Sequence, residues 1–416
     1  MNKKVMAVAV ASAFAVPGVA LAQKSTVEIY GRANLGFSHY EAKGATAGSQ
    51  NNLPARFQVF DGSSRVGFRG TEDLGSGLRA IFQIETGVNV DNGSNIGQGG
   101  QTNPSSGFWA SRDSFVGLDS NFGRFTFGRQ SIYWANGVNA QFAANYVNTE
   151  IPWTNGTQLG RISLQGASVA RVSNTFQYTS PTFAGMNITG SWSANVQEAQ
   201  QQLNTTGTPG LTTDADGAIW GLTWRGTWGP WYAQADWANV KGNRVNATGT
   251  GGVLTPKGDA YKIGGSWGYM PGARVGLIWV RTDVNNGAAN VVGIATGQKV
   301  NQDGWTINWE HTFGNFQVMA QYGWTGDIKG NGCNVGTLMN GVPTCSESAS
   351  SAFMLGGRYF MSKRTWLYLT YNQVDNEQNQ YVDYTGGGIT SWNGTGLGAL
   401  TGADPKIWAL GIFHAF

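Results

Sequence analysis

The sequence predicts an all-β protein, a 16-stranded antiparallel transmembrane β-barrel whose third loop folds into the lumen. Apolar and polar residues alternate with period two along most of the chain, as in strands with one apolar and one polar face. After residue 23, no run of about 20 apolar residues occurs, which excludes helical membrane spans. Seven tight turns alternate strictly with eight long polar loops, as in barrels with short turns on one side of a membrane and long loops on the other.

The amino terminus has the features of a secretion signal. A short basic start precedes an apolar run over residues 5–19, and the Ala-Leu-Ala sequence that ends at Ala22 fits a cleavage site. The run is short for a membrane helix, and Pro17 interrupts it. We therefore expect residues 1–22 to be a cleaved signal peptide and residues 23–416 to form one barrel domain.

The composition favours a membrane barrel over a soluble sheet protein. The chain has 62 Gly, 17 Trp, 14 Tyr and 20 Phe, and only 12% of its residues are charged. A soluble protein made of short alternating strands would leave wide, Trp-bearing sheet faces exposed to water. Many of the Trp residues lie near the ends of predicted strands, which suits the aromatic girdles at membrane interfaces. No basic run points to a nucleic-acid partner.

Each predicted strand is a stretch of alternation bounded by turn residues. In the first strand, Val27 and Ile29 fall on one face, whereas Glu28, Tyr30 and Arg32 fall on the other. The predicted strands are, in chain order, 26–40, 56–70, 77–90, 109–118, 124–130, 169–179, 184–195, 217–227, 231–241, two strands joined by a turn at 270–272, then 305–312, 316–326, 352–360, 365–374 and 405–416.

The connection over residues 131–168 differs from the other loops. It is polar, rich in Gly and Asn, and contains one acid, Glu150, and one base, Arg161. It is too long for an ordinary loop, and long segments with little structure of their own are usually functional. We interpret it as a constriction loop that folds into the lumen and narrows it.

Two cysteines, Cys333 and Cys345, bracket a Gly/Asn/Pro-rich segment. In an oxidising compartment such a pair is expected to form one disulfide that closes a short loop. Free thiols and a metal site are the alternatives, but a metal site would need further ligands, and none lie nearby in the sequence. The only histidines are His39, His311 and His414, which are far apart, so neither a catalytic triad nor a metal site is indicated. We expect no enzymatic activity and no cofactor.

Several stretches resemble the Gram-negative general porins, particularly their beta-proteobacterial branch. They read TVEIYGRANLG, SRVGFRGTEDLGSGLRAIFQIE, SRDSFVGLDSNFGRFTFGRQ and SNTFQYTSPTFAGMNITGSW, and the chain ends in HAF. The resemblance implies a homotrimer of 16-stranded barrels in the outer membrane, in contact with lipid and lipopolysaccharide. It also implies passive diffusion of small hydrophilic solutes. The terminal Phe416 is similar to the signal that this family presents to the outer-membrane assembly machinery.

The same resemblance implies a ladder of basic wall residues that faces the third loop. Matched position by position, these residues are Arg32, Arg65, Arg112, Arg161 and Arg171. Many relatives carry a Pro-Glu-Phe-Gly-Gly motif with two or more acids on this loop, whereas this sequence offers only Glu150. Fewer carboxylates opposite several guanidiniums make the lumen positive, so we expect a preference for anions.

Two other functions remain open at this stage. The first is a substrate-selective outer-membrane channel for sugars, organic acids or phosphate. The second is a structural or adhesin barrel with a plugged lumen. A saturable binding site would favour the first, and the absence of open-channel conductance would favour the second.

Overall fold

The structure is a computed structural model. It describes residues 25–46, 48–49, 52–88, 90–91, 109–132, 142, 171–193, 218–241, 257–285, 298–334, 345–383 and 401–416. The predicted signal peptide lies outside the described residues, as do Glu150, Arg161 and most of the predicted constriction loop.

The strands run, in chain order, β1 Ser25–Lys43, β2 Leu53–Asp61, β3 Arg65–Gly75, β4 Leu78–Gly87, β5 Ser114–Ser120, β6 Gly123–Ser131, β7 Arg171–Thr179, β8 Met186–Ser193, β9 Ala218–Trp228, β10 Trp231–Lys241, β11 Lys257–Met270, β12 Ala273–Asn285, β13 Lys299–Phe313, β14 Phe316–Thr325, β15 Ser350–Phe360, β16 Thr365–Asn376 and β17 Asp404–Ala415. A short 3-10 helix, Asn331–Asn334, follows β14. Among these described residues, no helix is long and apolar enough to cross a membrane.

The strands close into a cylinder. From β3 to β17, each strand pairs antiparallel with the next, and β17 pairs with β1 from Arg32–Ala415 to Lys43–Asp404. Both β2 and β3 pair with β1, at different heights along it. They are therefore two segments of one wall strand, and the predicted 16-stranded antiparallel barrel is confirmed.

The expectation of one unbroken strand over residues 56–70 was wrong. Between the pairs Leu35–Asp61 and Arg32–Arg65, the residues Ala33 and Asn34 of β1 face three residues, 62–64. The extra residue makes a bulge. Asn34 stabilises it, because its Nδ2 donates to the Gly62 carbonyl at 3.0 Å and its backbone N–H donates to Ser64 Oγ at 2.9 Å.

Two other strands begin well away from their predicted first residues. The strand expected at 109–118 begins only at Ser114, because Trp109–Asp113 form a turn and bends in which Arg112 folds back onto β4: its backbone N–H donates to the Glu85 carbonyl at 3.0 Å. The strand expected at 305–312 begins earlier, at Lys299, because this stretch pairs with the end of β12.

The two faces of the barrel differ as the alternation predicts. The outward face of β1 exposes Val27 and Ile29, at 68% and 63%. The inward face buries polar side chains such as Asn34 and Ser38. Exposed aromatic residues flank the tight turns, and examples are Phe122, Phe183, Trp228, Trp231, Phe313 and Phe316. An apolar exterior with aromatic residues at its margin suits a bilayer.

The predicted disulfide between Cys333 and Cys345 is present. Cys345 is buried in an apolar cluster with Val284 and Val300, residues of β12 and β13. The loop that leaves β14 is also paired to β13, because Asn301 and Lys329 exchange backbone hydrogen bonds of 2.7 and 2.9 Å. The disulfide therefore anchors this loop to the barrel wall.

Candidate functional site

Arg32 and Arg65 are directly opposite each other on neighbouring strands. The pair lies where β1 meets the first residue of β3, beside the bulge. Arg32 Nε donates to the Ser63 carbonyl at 3.0 Å, and its guanidinium lies 5.5 Å from the centroid of the Phe413 ring. A backbone carbonyl and an aromatic face thus hold one guanidinium, while Arg65 extends towards β4.

Glu85 on β4 joins two of the predicted basic residues. Its carboxylate accepts a hydrogen bond from Arg112 Nε and another from the Tyr30 hydroxyl, the latter at 3.0 Å. Arg65 Nε lies 3.7 Å from the same carboxylate. Glu85 is 6% exposed and Arg112 4% exposed, so this ion pair is buried. Removal of Glu85 would therefore leave the charge of the buried Arg112 without its counter-charge.

Asp113 ties together the two ends of the long segment over residues 131–168. At the departing end, Ser131 donates to Asp113 Oδ1 from its backbone N–H and its hydroxyl, at 2.7 and 2.8 Å. At the returning end, Arg171 Nε donates to Asp113 Oδ2 at 2.8 Å. The Asp113 carboxylate therefore binds the chain at both ends of the predicted constriction loop.

Phe142 is the one residue between 133 and 170 that the structure describes. It contacts the inner face of the barrel at β10 and β12, far from the ends of the segment on β6 and β7. Its ring is 2% exposed and packs with Ile278 and Val280 of β12 and with Tyr232 of β10. These side chains belong to the inward faces of their strands, since the preceding residues Leu277 on β12 and Trp231 on β10 are exposed at 46% and 53%. Gly276 makes room for the ring, because a Cβ there would stand 2.6 Å from Phe142 Cζ.

The structure thus places four of the five predicted arginines in one sector of the inner wall. Arg32, Arg65, Arg112 and Arg171 lie on β1, on β3, just before β5 and at the start of β7. Together with Glu85 and Asp113 they carry a net charge of two positive units. Among the described residues, no group of three or more His, Cys, Asp or Glu side chains is placed to hold a metal ion.

The sequence interpretation missed the two carboxylates and the Tyr30 hydroxyl in this sector. Alternation along β4 does place Glu85 on the polar face, but it does not say which arginines Glu85 meets. Asp113 adjoins Arg112 in sequence, yet its partners Ser131 and Arg171 are 18 and 58 residues away.

The terminal residue Phe416 pairs with Gly31 on the first strand. Its backbone N–H and carbonyl exchange two 3.1 Å hydrogen bonds with Gly31. Its side chain is 49% exposed and lies over the same glycine, which has no Cβ to obstruct the ring. The terminal aromatic residue is therefore part of the seam that closes the barrel.

Comparisons with known proteins agree with this architecture. The family model described as Gram-negative porin matches residues 7–379. An outer membrane porin protein of Bordetella pertussis is 30% identical over 391 residues, which cover 88% of this chain and 93% of the relative. The major outer membrane protein P.IB of Neisseria gonorrhoeae is 30% identical over 190 residues, or 45% of this chain and 47% of that protein.

Among solved structures, an anion-selective porin from Comamonas acidovorans has the same fold. It superimposes with a TM-score of 0.68 at 22% identity, over 94% of this chain and 100% of that one. The family model matches most of this chain, and the Bordetella relative aligns with nearly the full length of both proteins. This chain therefore belongs to the Gram-negative porin family and forms a β-barrel channel of the outer membrane.

Proposed function

We propose that the protein is a passive diffusion channel that prefers anions over cations. The observation that carries this proposal is the arginine sector, in which Arg32, Arg65, Arg112 and Arg171 outnumber the two carboxylates beside them. Low-dielectric walls focus the field of such a cluster into the lumen and raise the local concentration of anions. The likeness to a porin whose name states anion selectivity supports the same direction.

We further propose that residues 131–168 narrow the channel. Two contacts support this: Asp113 fixes both ends of the segment near β5, whereas Phe142 packs on the inward faces of β10 and β12. These two contacts, at the ends of the segment and at Phe142, are those expected of a loop that narrows the lumen. Glu150 and Arg161, which lie on this segment, are proposed to face the solute at the narrowest point.

We also propose that the protein assembles as a homotrimer and is exported with a cleaved signal peptide. The apolar outward face suits contacts with outer-membrane lipid, with lipopolysaccharide and with two further copies of the chain in a homotrimer. Phe416 is proposed as the signal for the assembly machinery, and residues 1–22 as the part removed on export. Mass spectrometry of the mature protein tests the cleavage site, and cross-linking in membranes tests the trimer.

Reversal potentials across planar bilayers in a KCl gradient test the anion preference. The wild-type channel is expected to favour Cl⁻, and Arg65→Ala is expected to shift the reversal potential towards that of a non-selective pore. Arg281→Ala is the matched control, because Arg281 lies on the outward face of β12 and pairs with Asp283 and Asp303. A cation-selective wild type, or an Arg65→Ala channel with unchanged selectivity, would contradict the assignment.

A further inference from the structure

Phe115 places an aromatic ring on the inner wall of the barrel. On the same strand, Val116 and Leu118 are exposed on the outer face at 61% and 44%. Because successive side chains of a strand point to opposite faces, Phe115 points inward. The inward rings of Phe60 and Tyr368 are almost fully buried, whereas Phe115 is only half-buried. Part of its apolar surface is therefore accessible from the lumen.

A cavity of about 260 Å³ opens to the lumen beside this ring. Phe115 is directly opposite Gln83 on β4 and Gly128 on β6, and Gly128 has no side chain to fill the space next to the ring. The volume is just below the roughly 300–1,000 Å³ of sites for drug-sized ligands, so it suits a smaller solute. The residues that line the cavity are Gln83, Asp113, Phe115, Gln130, Ser131 and Gln177.

The amide groups of Gln83 and Gln177 have a fixed orientation. Gln83 Nε2 donates to the Asp113 carbonyl at 2.9 Å, and Gln177 Nε2 donates to the Ser131 carbonyl at 2.7 Å. Since a carbonyl only accepts hydrogen bonds, the nitrogen of each amide must be the atom that faces it. Among the described residues, no donor contacts Oε1 of Gln83 or of Gln177. Both oxygens can therefore accept hydrogen bonds from a solute in the cavity.

The charge beside the cavity is balanced. The Asp113 carboxylate accepts two hydrogen bonds from Ser131 and one from Arg171, so its negative charge is paired with a guanidinium. The two amide oxygens are uncharged acceptors. Chloride and carboxylate ions also only accept hydrogen bonds, so these oxygens do not favour them. The groups that match the cavity are hydroxyl donors on a solute without net charge.

We propose that Phe115, Gln83 and Gln177 form a binding site for a neutral polyhydroxylated solute of the size of one sugar ring. The C–H face of the sugar lies against the phenyl ring, and its hydroxyl groups donate to the two amide oxygens. Ligand sites commonly combine aromatic surface with a few polar groups that fix the orientation of the ligand. The site rests on the proposal that the protein is a diffusion channel, and it adds a class of neutral solutes to that function.

The site predicts a saturable block of the ion current by a neutral sugar. Glucose is the probe, added to both sides of a planar bilayer in KCl while single channels are recorded. Glucose also lowers the conductivity of the bulk solution, so the channel current is divided by the bulk conductivity measured at each concentration. The corrected wild-type current is expected to fall with a hyperbolic dependence on glucose.

Two variants remove different parts of the site. Phe115→Leu keeps an apolar side chain but loses the aromatic face, and Gln83→Met keeps the length of the side chain but loses Oε1. Each is expected to raise the half-blocking concentration roughly tenfold, as for the loss of one such interaction. Phe127→Leu is the matched control and is expected to be blocked like the wild type, because Phe127 lies on the neighbouring strand β6 and is 56% exposed on the outer face.

The outcomes separate this site from the channel function itself. A wild type that conducts in KCl but shows no saturable glucose block would overturn the site and leave the diffusion channel intact. A wild type without open-channel conductance would overturn the diffusion channel and the site with it. A block of equal strength in Phe115→Leu, Gln83→Met and Phe127→Leu would place the sugar elsewhere and overturn the assignment. A weaker block in the two inward variants alone would support the site.

Discussion

Arg32 Nε donates a hydrogen bond to the backbone carbonyl of Ser63 over 3.0 Å. Ser63 is the middle residue of the bulge between β2 and β3, and its φ of 65° lies in the left-handed region. An interruption of the wall strand therefore positions the Arg32 guanidinium on the inner face. Bulges often re-aim side chains next to functional sites, and here the bulge supplies the acceptor itself.

We expect Ser63→Val to destabilise the barrel by roughly 1–3 kcal/mol, since a β-branched residue is strained at this φ. The same variant is expected to reduce the anion preference, because a shifted carbonyl no longer holds Arg32. Ser63→Gly, which adopts this conformation without strain, is the control and is expected to behave like the wild type. Urea unfolding and reversal potentials measure the two effects. Equal stability of both variants would show that the bulge tolerates any residue.

Glu85→Gln is expected to destabilise the protein by roughly 3–5 kcal/mol, since it leaves the buried Arg112 without its counter-charge. It is also expected to increase the anion preference, because one lumenal carboxylate is lost. The matched control is Glu28→Gln, which breaks the solvent-exposed pair with Arg69 and is expected to change stability little. If the two variants unfold at the same urea concentration, the Glu85 cluster contributes nothing to stability.

Phe142→Ala is expected to raise the single-channel conductance, because the constriction segment loses its contact with β10 and β12. Gly276→Ala disrupts the same contact from the barrel wall, because the added Cβ would lie 2.6 Å from Phe142 Cζ and must displace the ring. It is also expected to raise the conductance. Phe313→Ala removes an outward ring that is 51% exposed, and it is expected to leave conductance unchanged. Wild-type conductance in both inward variants would show that Phe142 does not hold the segment.

Replacing Cys333 and Cys345 together by serine is expected to loosen the loop that the disulfide closes, at a cost of about 3 kcal/mol by the chain-entropy estimate. The barrel strands do not depend on this bond, so conductance is expected to persist. Proteinase K digestion followed by mass spectrometry checks the effect, and faster cleavage is expected between residues 329 and 349. Identical cleavage of the oxidised wild type and the double variant would contradict this role.

Features that depend on neighbours along the chain could be predicted from the sequence. Alternation assigned Arg32 to the polar face and Val27 to the apolar face, and both assignments hold because the side-chain period of a strand is two. Turn residues located the tight turns, and the positions of Cys333 and Cys345 in one short segment pointed to their disulfide. Each of these features is local, so no knowledge of strand pairing was needed.

The side chains that meet across the wall could be identified only from the three-dimensional arrangement of the strands. Asp113 contacts Arg171 across 58 residues, and Tyr368 contacts Asn34 across 334 residues and the seam of the barrel. Such contacts depend on the register between strands, and a shift of one residue moves every side chain to the opposite face. The bulge at Ser63 makes such a shift, which alternation alone does not reveal. For this reason the barrel was predictable, whereas the carboxylates that pair with its arginines were not.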